Sequence, residues 1–199
     1  MKTFENVAIV CDQPQLDIAL AIRGMLEAYG LRGLLVRCAQ KRNVFEMMAG
    51  SIPDADYVVM CPGPFMLEGD DLDVAFSVVD DASGRWETVL LSFKPHDIAR
   101  FVRLPGRTII SLGCRTGREE IANAMLDAGC LAFIAPVGYV DGDACALFTA
   151  GFFYHLMREV RDPASRCSDE EAVRLAAGFD AAYRDGTGSF RYLTRTPRA

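Results

Sequence analysis

Apolar residues come along this chain in short blocks separated by amphipathic segments, a pattern that predicts a parallel sheet covered by helices. Asn6 to Cys11 is an apolar run long enough for one strand. After it, Pro14 suits a first helical position, and apolar residues recur at Ile18, Ile22, Met25, Leu26 and Tyr29 before Gly30 supplies a stop. Gly33 to Cys38 predicts a second strand, Asn43 can cap a short helix through Met48, and Tyr57 to Cys61 predicts a third strand. The first sixty residues thus read βαβαβ, the rhythm of parallel strands joined by crossover helices.

The rhythm then changes. Asp73 to Asp80 and Trp86 to Ser92 have strand content around the turn signal Asp81-Ala82-Ser83-Gly84, which predicts a hairpin inserted at the edge or rim of the sheet, with Trp86 packing it. Pro95 can open a helix through Val102, and Thr108 to Leu112 is the fourth core strand. Thr116 and Glu119 have capping-box spacing for a helix with Ile121, Ala124, Met125 and Ala128 on one face, ended by Gly129. Leu131 to Ala135 is a further buried strand. A long helix is expected from about Asp143 to Val160, with Ala144, Leu147, Phe148, Gly151, Phe152 and His155 along one side. Ser168 and Glu171 form a second capping box for a last helix to about Tyr183, and residues 186–199 read as a loop or edge tail. The expectation is an α/β protein forming one domain over residues 1–199.

Composition narrows the function classes. A chain of 199 residues with 51% hydrophobic content can bury a full core, and 21 Lys plus Arg against 27 Asp plus Glu leave no basic run for a phosphate backbone. A nucleic-acid partner is therefore not expected. The apolar stretch from Leu131 to Val140 is broken by Pro136 and Gly138, and Met1-Lys2-Thr3-Phe4-Glu5 does not open a signal peptide, so a soluble cytoplasmic protein without membrane contact is expected. Seven cysteines without CxxC spacing point to reduced thiols, and two histidines are too few for the usual zinc spacings. Neither GxGxxG nor GxxxxGK[ST] follows a strand, so no nucleotide cofactor is expected, and no other cofactor is implied.

One stretch carries candidate chemistry. In Ile109-Ile110-Ser111-Leu112-Gly113-Cys114-Arg115-Thr116-Gly117 an apolar strand delivers a cysteine just before a predicted helix. Unpaired N–H groups and the helix dipole favour a thiolate there, and the same N–H groups can hold a developing oxyanion. The plainer reading is a small buried residue, with Gly113 and Gly117 serving a tight turn. A glutamine-amidotransferase elbow wants glycine two before and two after the cysteine, where this chain has Leu112 and Thr116. A phospho-receiver wants an aspartate at the end of the third strand, where Met60 and Cys61 stand. Cys61 and Cys114 each end a strand and, were those strands neighbours, could respond jointly to oxidation, though two independent buried thiols are the preferred reading. Glu68, Asp70, Asp71 and Asp73 could recognise a basic side chain at the same rim, or simply form a charged loop. Asp141 and Asp143 read as turn and helix-start residues.

From Leu91 through Met157 the order of these features resembles the CHAT family of caspase-like proteins, in the caspase/separase/gingipain superfamily. The matching features are the short helix from Pro95 to Val102 and the Ser111-Leu112-Gly113-Cys114-Arg115-Thr116-Gly117 motif. Ala128-Gly129, the strand from Leu131 to Pro136, Tyr139-Val140-Asp141 and the long helix that follows complete the order. The resemblance implies a caspase-like three-layer α-β-α sandwich with a mostly parallel sheet and an inserted hairpin. It places Cys114 at the nucleophile position, with the backbone around Gly113 to Arg115 as oxyanion donors. The family's third strand ends in His-Gly, and this chain has Pro62-Gly63, so Pro62 replaces the expected histidine.

His96, in the helix before the fourth strand, and His155, among apolar neighbours on the long helix, are poor substitutes for that base. The leading expectation is a non-catalytic pseudo-peptidase with a binding or regulatory role and a protein or peptide partner. A cysteine endopeptidase or thiol hydrolase using Cys114, and a small-molecule-binding α/β domain with its ligand at the strand ends, are the alternatives.

Overall fold

The computed structural model describes residues 5–62, 73–80, 87–161, 167–180 and 187–195. In chain order the elements are β1 (Asn6–Cys11), α1 (Leu16–Ala28), β2 (Arg32–Arg37), α2 (Lys41–Met48), β3 (Tyr57–Cys61), β4 (Val74–Asp80), β5 (Glu87–Phe93) and α3 (Pro95–Phe101). They continue as β6 (Thr108–Ser111), α4 (Glu119–Asp127), β7 (Ala132–Pro136), α5 (Gly142–Arg161), α6 (Asp169–Ala177) and β8 (Phe190–Thr194). Six strands form one sheet in the order β2-β1-β3-β6-β7-β8, parallel throughout except for β8, which runs antiparallel to β7.

The near-continuous apolar runs of the central strands are explained by burial on both faces. Side chains alternate across the sheet: Val7, Ile9, Cys11, Tyr57, Val59, Cys61, Ile110 and Ile134 face α1, α5 and α6, while Ala8, Val10, Val58, Met60, Ile109 and Phe133 face α2, α3, α4 and the hairpin. The result is three layers, α-β-α, with a core on each side. On the first face Phe148 of α5 stacks on Phe190 of β8 with ring centroids 3.8 Å apart, which fastens the antiparallel edge strand to the helical layer. At the amino ends of the strands, Asp169 of α6 accepts hydrogen bonds from Tyr57 Oη (2.8 Å) and Thr108 Oγ1 (3.3 Å), tying that helix to β3 and β6.

Strands β4 and β5 pair as a separate antiparallel ribbon, joined to the rest by the Gln40–Val79 bridge and by Asp12, whose Oδ2 accepts the Ser77 N–H at 2.8 Å. Trp86 lies outside the described residues, as do Glu68, Asp70 and Asp71.

Several helix starts differ from expectation. Pro14 lies in the turn before α1, where the Gln15 N–H donates to Asp12 Oδ1. Asn43 is not the cap of α2 but its third residue, reaching back to accept the Gln40 N–H at 3.1 Å. Thr116 and Glu119 form no capping box, because Arg118 precedes the first residue of α4 and the Thr116 hydroxyl is taken up inside the preceding turn. The Ser168 cap holds, with the Glu171 N–H donating to Ser168 Oγ at 3.1 Å, but α6 ends at Ala177; Tyr183 lies outside the described residues.

Candidate functional site

Cys114 stands in the turn that follows β6, and local hydrogen bonds explain its shape. Thr116 is buried and its Oγ1 donates to the Gly113 carbonyl at 2.7 Å while lying 2.9 Å from Ser111 Oγ. Arg115 takes φ 61°, a left-handed conformation that is uncommon outside glycine, and its N–H donates to the Gly138 carbonyl at 2.8 Å. The Gly117 N–H donates to the Pro136 carbonyl at 2.8 Å, and a Cβ at Gly117 would lie 2.6 Å from the Ala135 carbonyl oxygen, so only glycine lets the turn press this closely on β7. Four residues separate Cys114 from the first residue of α4, which removes the expected helix N-terminus from behind the thiol. The nearer helix start is that of α5.

The sulfur of Cys114 is clasped by the backbone of one residue. Val140 N–H donates to Sγ at 3.4 Å, and the thiol points back to the Val140 carbonyl at 3.5 Å. Cys114 remains partly exposed and opens on a cavity of about 210 Å³ at the carboxyl ends of the strands. Among the described residues, Gln15 just before α1 and Ile18 within it, Cys61 and Pro62 at the end of β3, Leu112 and Gly113 before the thiol, and Val140, Gly142 and Cys145 around the start of α5 complete its lining. Such a place, beside the reversal of strand order between β1 and β3, is where open α/β sheets hold ligands.

Pro62 and Gly113 face each other at this cavity with no room for a side chain between them. A Cβ at Gly113 would lie 2.7 Å from Pro62 Cγ and 2.9 Å from Thr116 Cγ2. The two strand ends named from sequence are therefore adjacent, β3 and β6 being parallel neighbours, and Cys61 lines the same cavity as Cys114. Burial pushes the Cys61 thiol well above its ordinary pKa and that of Cys145 up to about 12, the latter also raised by the nearby Cys114. Cys145 Sγ lies 3.5 Å from the Leu112 carbonyl.

No histidine reaches the cavity. The chain has two, and the His96 side chain is 76% exposed on α3, 3.4 Å from Asp97. His155 stacks on Phe179, ten residues beyond Cys145 on α5, about 15 Å along the helix axis at 1.5 Å per residue. Among backbone donors, Gly113 N–H lies 3.4 Å from Ser111 Oγ and Arg115 N–H is taken by Gly138, while Cys114 N–H has no hydrogen-bond partner among the described residues. Asp73 accepts the Ser92 hydroxyl within the hairpin. Among the described residues no group of three or more His, Cys, Asp or Glu side chains is placed to hold a metal.

Sequence reasoning missed Val140, Gln15, Ile18 and Cys145 as parts of this site. Val140 acts through its backbone and Arg115 through an unusual φ, neither of which residue type announces. Cys145 carried a weak signal, as a cysteine in the first turn of the helix that follows the β7 strand.

No family model matches the chain, and no curated protein matches it. Solved structures do. The chain is similar to a structure of the Saccharomyces cerevisiae separase–securin complex, with 10% identity, TM-score 0.57, and 96% of this chain covered against 12% of that one. A second structure of the same complex gives 12% identity and TM-score 0.54. A complex of Porphyromonas gingivalis RgpB pro- and mature domains gives 11% identity and TM-score 0.55, covering 94% of this chain and 45% of that one. The chain thus spans much less than the length of either neighbour. At these identities the likeness is one of fold: a mixed α/β, caspase-like architecture with a mostly parallel six-stranded sheet flanked by helices. No described helix is long and apolar enough to cross a membrane.

Proposed function

We propose that residues 1–199 form one caspase-like domain, CHAT-like in the order of its motifs, that works as a non-catalytic pseudo-peptidase binding or regulating a protein or peptide partner. The observation that carries this reading is the absence of both of the chain's histidines from the described lining of the Cys114 cavity, with Pro62 standing against Gly113 where the resemblance calls for an imidazole. A thiol without a base to take its proton loses the general-base contribution, typically a factor of about 10²–10⁴. The neighbours support a protein partner, since one is a separase–securin complex and the other joins pro- and mature domains. An odd set of cysteines without CxxC spacing supports a reducing compartment such as the cytoplasm.

A second reading, a cysteine peptidase or thiol hydrolase, is favoured by the Cys114 N–H, which has no hydrogen-bond partner among the described residues and can serve an oxyanion beside a partly exposed sulfur. A fluorogenic-peptide library compared between wild type and Cys114→Ala separates the two. The proposed function requires the same background with both proteins; turnover lost in Cys114→Ala would establish the second reading instead.

A further inference from the structure

We propose that Cys114 is a site of oxidation by hydroperoxides and that Cys145, at the start of α5, is its resolving thiol, the two closing an intramolecular disulfide. The placement of the two sulfurs is the first argument. Cys145 Sγ lies 3.5 Å from the Leu112 carbonyl, at the strand end that leads into Cys114. Cys114 Sγ is held at 3.4 and 3.5 Å by the backbone of Val140, in the segment that leads into α5. Each sulfur thus reaches across the same seam toward the chain that carries the other, and both line the cavity of about 210 Å³. A disulfide forms where two sulfurs can meet with little movement of the backbone, and a shared seam provides that.

Access divides the roles. Cys114 is partly exposed and open to a small oxidant, whereas Cys145 is 4% exposed. Burial first, then the charge of Cys114 and of Asp141, push the Cys145 pKa up to about 12. Conversion of Cys114 to a neutral sulfenic acid removes the second of these causes and sets an electrophilic sulfur beside the buried thiol. Cys61, the third thiol of the cavity, is placed otherwise: it is the register partner of Cys11 on β1, and at the Cys114 turn it is the ring of Pro62 that faces Gly113.

The steps balance with the peroxide alone. The Cys114 sulfur attacks one peroxide oxygen, an S–O bond forms, the O–O bond breaks, and the leaving hydroxide takes up the thiol proton as water. The Cys145 sulfur then attacks the Cys114 sulfur, an S–S bond forms, the S–O bond breaks, and the oxygen departs as a second water with the Cys145 proton. The two thiols together lose two electrons and one peroxide gains them. Neither step uses an imidazole, so the site operates whether or not the domain cleaves peptides.

Hydrogen peroxide added to the folded, reduced chain tests this. Remaining thiols are blocked with N-ethylmaleimide in denaturant and peptides of the monomer are mapped without reductant, with fragmentation separating Cys145 from Cys130, which shares its tryptic peptide. The expected product is a linked Cys114–Cys145 peptide that dithiothreitol abolishes. In Cys145→Ser the linkage is expected to be lost and Cys114 sulfenic acid, captured by dimedone, to rise, while Cys61→Ser keeps the linkage. The wild-type map decides by itself should Cys145→Ser fail to fold. A Cys61–Cys114 linkage, Cys114 carried to sulfinic acid with Cys145 still blocked by maleimide, or Cys114 left unoxidised while the partly exposed Cys167 reacts would each overturn the proposal. So would a folded Cys145→Ser protein whose Cys114 products match those of wild type.

Discussion

The contact between Pro62 and the Cys114 turn is tested by filling the space that keeps them apart. In Gly113→Ala the new methyl would stand 2.7 Å from Pro62 Cγ and 2.9 Å from Thr116 Cγ2, both inside normal contact, so a side chain or the turn itself must move. Overpacking of this kind costs about 1–3 kcal/mol, and replacing glycine returns about 0.4–1 kcal/mol by restricting the unfolded chain. The net loss is about 0.5–2 kcal/mol, which for a domain near 200 residues lowers Tm by about 1–8 °C. Pro62→Ala deletes one of the two opposing atoms; by itself it costs about 0.4–1 kcal/mol through the unfolded state and, because Pro62 is buried, about 0.8 kcal/mol more for each ring methylene lost. The double variant should therefore be more stable than the sum of the single changes predicts, by about 0.5–1 kcal/mol, against the 0.3–0.5 kcal/mol within which distant sites add. Urea unfolding of the four proteins reads the cycle. Additive losses would refute the juxtaposition of the β3 and β6 ends on which the site depends.

Thiol reactivity gives a second prediction. Under native conditions an alkylating reagent should modify Cys114 and Cys167 first, since these two are partly exposed; Cys11, Cys38, Cys61, Cys130 and Cys145 are buried, and burial raises their pKa values, to about 11 for Cys11 and about 12 for Cys38. Modification of any of the five in folded protein at a rate matching Cys114 would contradict the packing. A third concerns pH. Burial and then the charge of Arg158 hold the His155 pKa below its ordinary 6.5, Glu171 acting the other way, and its Nδ1 is buried without a hydrogen-bond partner among the described residues. The unfolded chain thus takes up this proton more readily, so the contribution is complete above about 6.5 and is lost as pH falls toward the folded value. His155→Gln should show a smaller drop in urea midpoint between pH 7.5 and 5.5 than wild type; equal drops would contradict it.

The sheet was legible because its strands are buried on both faces and so stand out as unbroken apolar runs between glycine and proline stops. Cys61 and Cys114 could be set at strand ends from the βαβ rhythm, but at adjacent ones only through the caspase-like resemblance, because the rhythm does not fix which strands are neighbours across the hairpin. Helix starts were less legible: Thr116 followed by Glu119 has the spacing of a cap, yet Thr116 is held by Ser111 and Gly113, residues brought to it by the turn. That competition between a local signal and a tertiary partner is invisible in a list of residues. The same holds for Val140, whose contribution to the thiol is entirely backbone, and for Asp12, whose two bonds bridge a helix start and the hairpin. The tail was read only as loop or edge, because Phe190 gains its place through Phe148, far away in sequence.

The most direct test of the central claim, that Cys114 has no imidazole partner, is an NMR titration of the chain's two histidines in wild type and in Cys114→Ser. A base paired with the thiol would feel the loss of the sulfur and change its pKa. With His96 beside Asp97 and His155 against Phe179, both titration curves should be the same in the two proteins. A displaced midpoint for either histidine in Cys114→Ser would place that imidazole at the thiol and contradict the account.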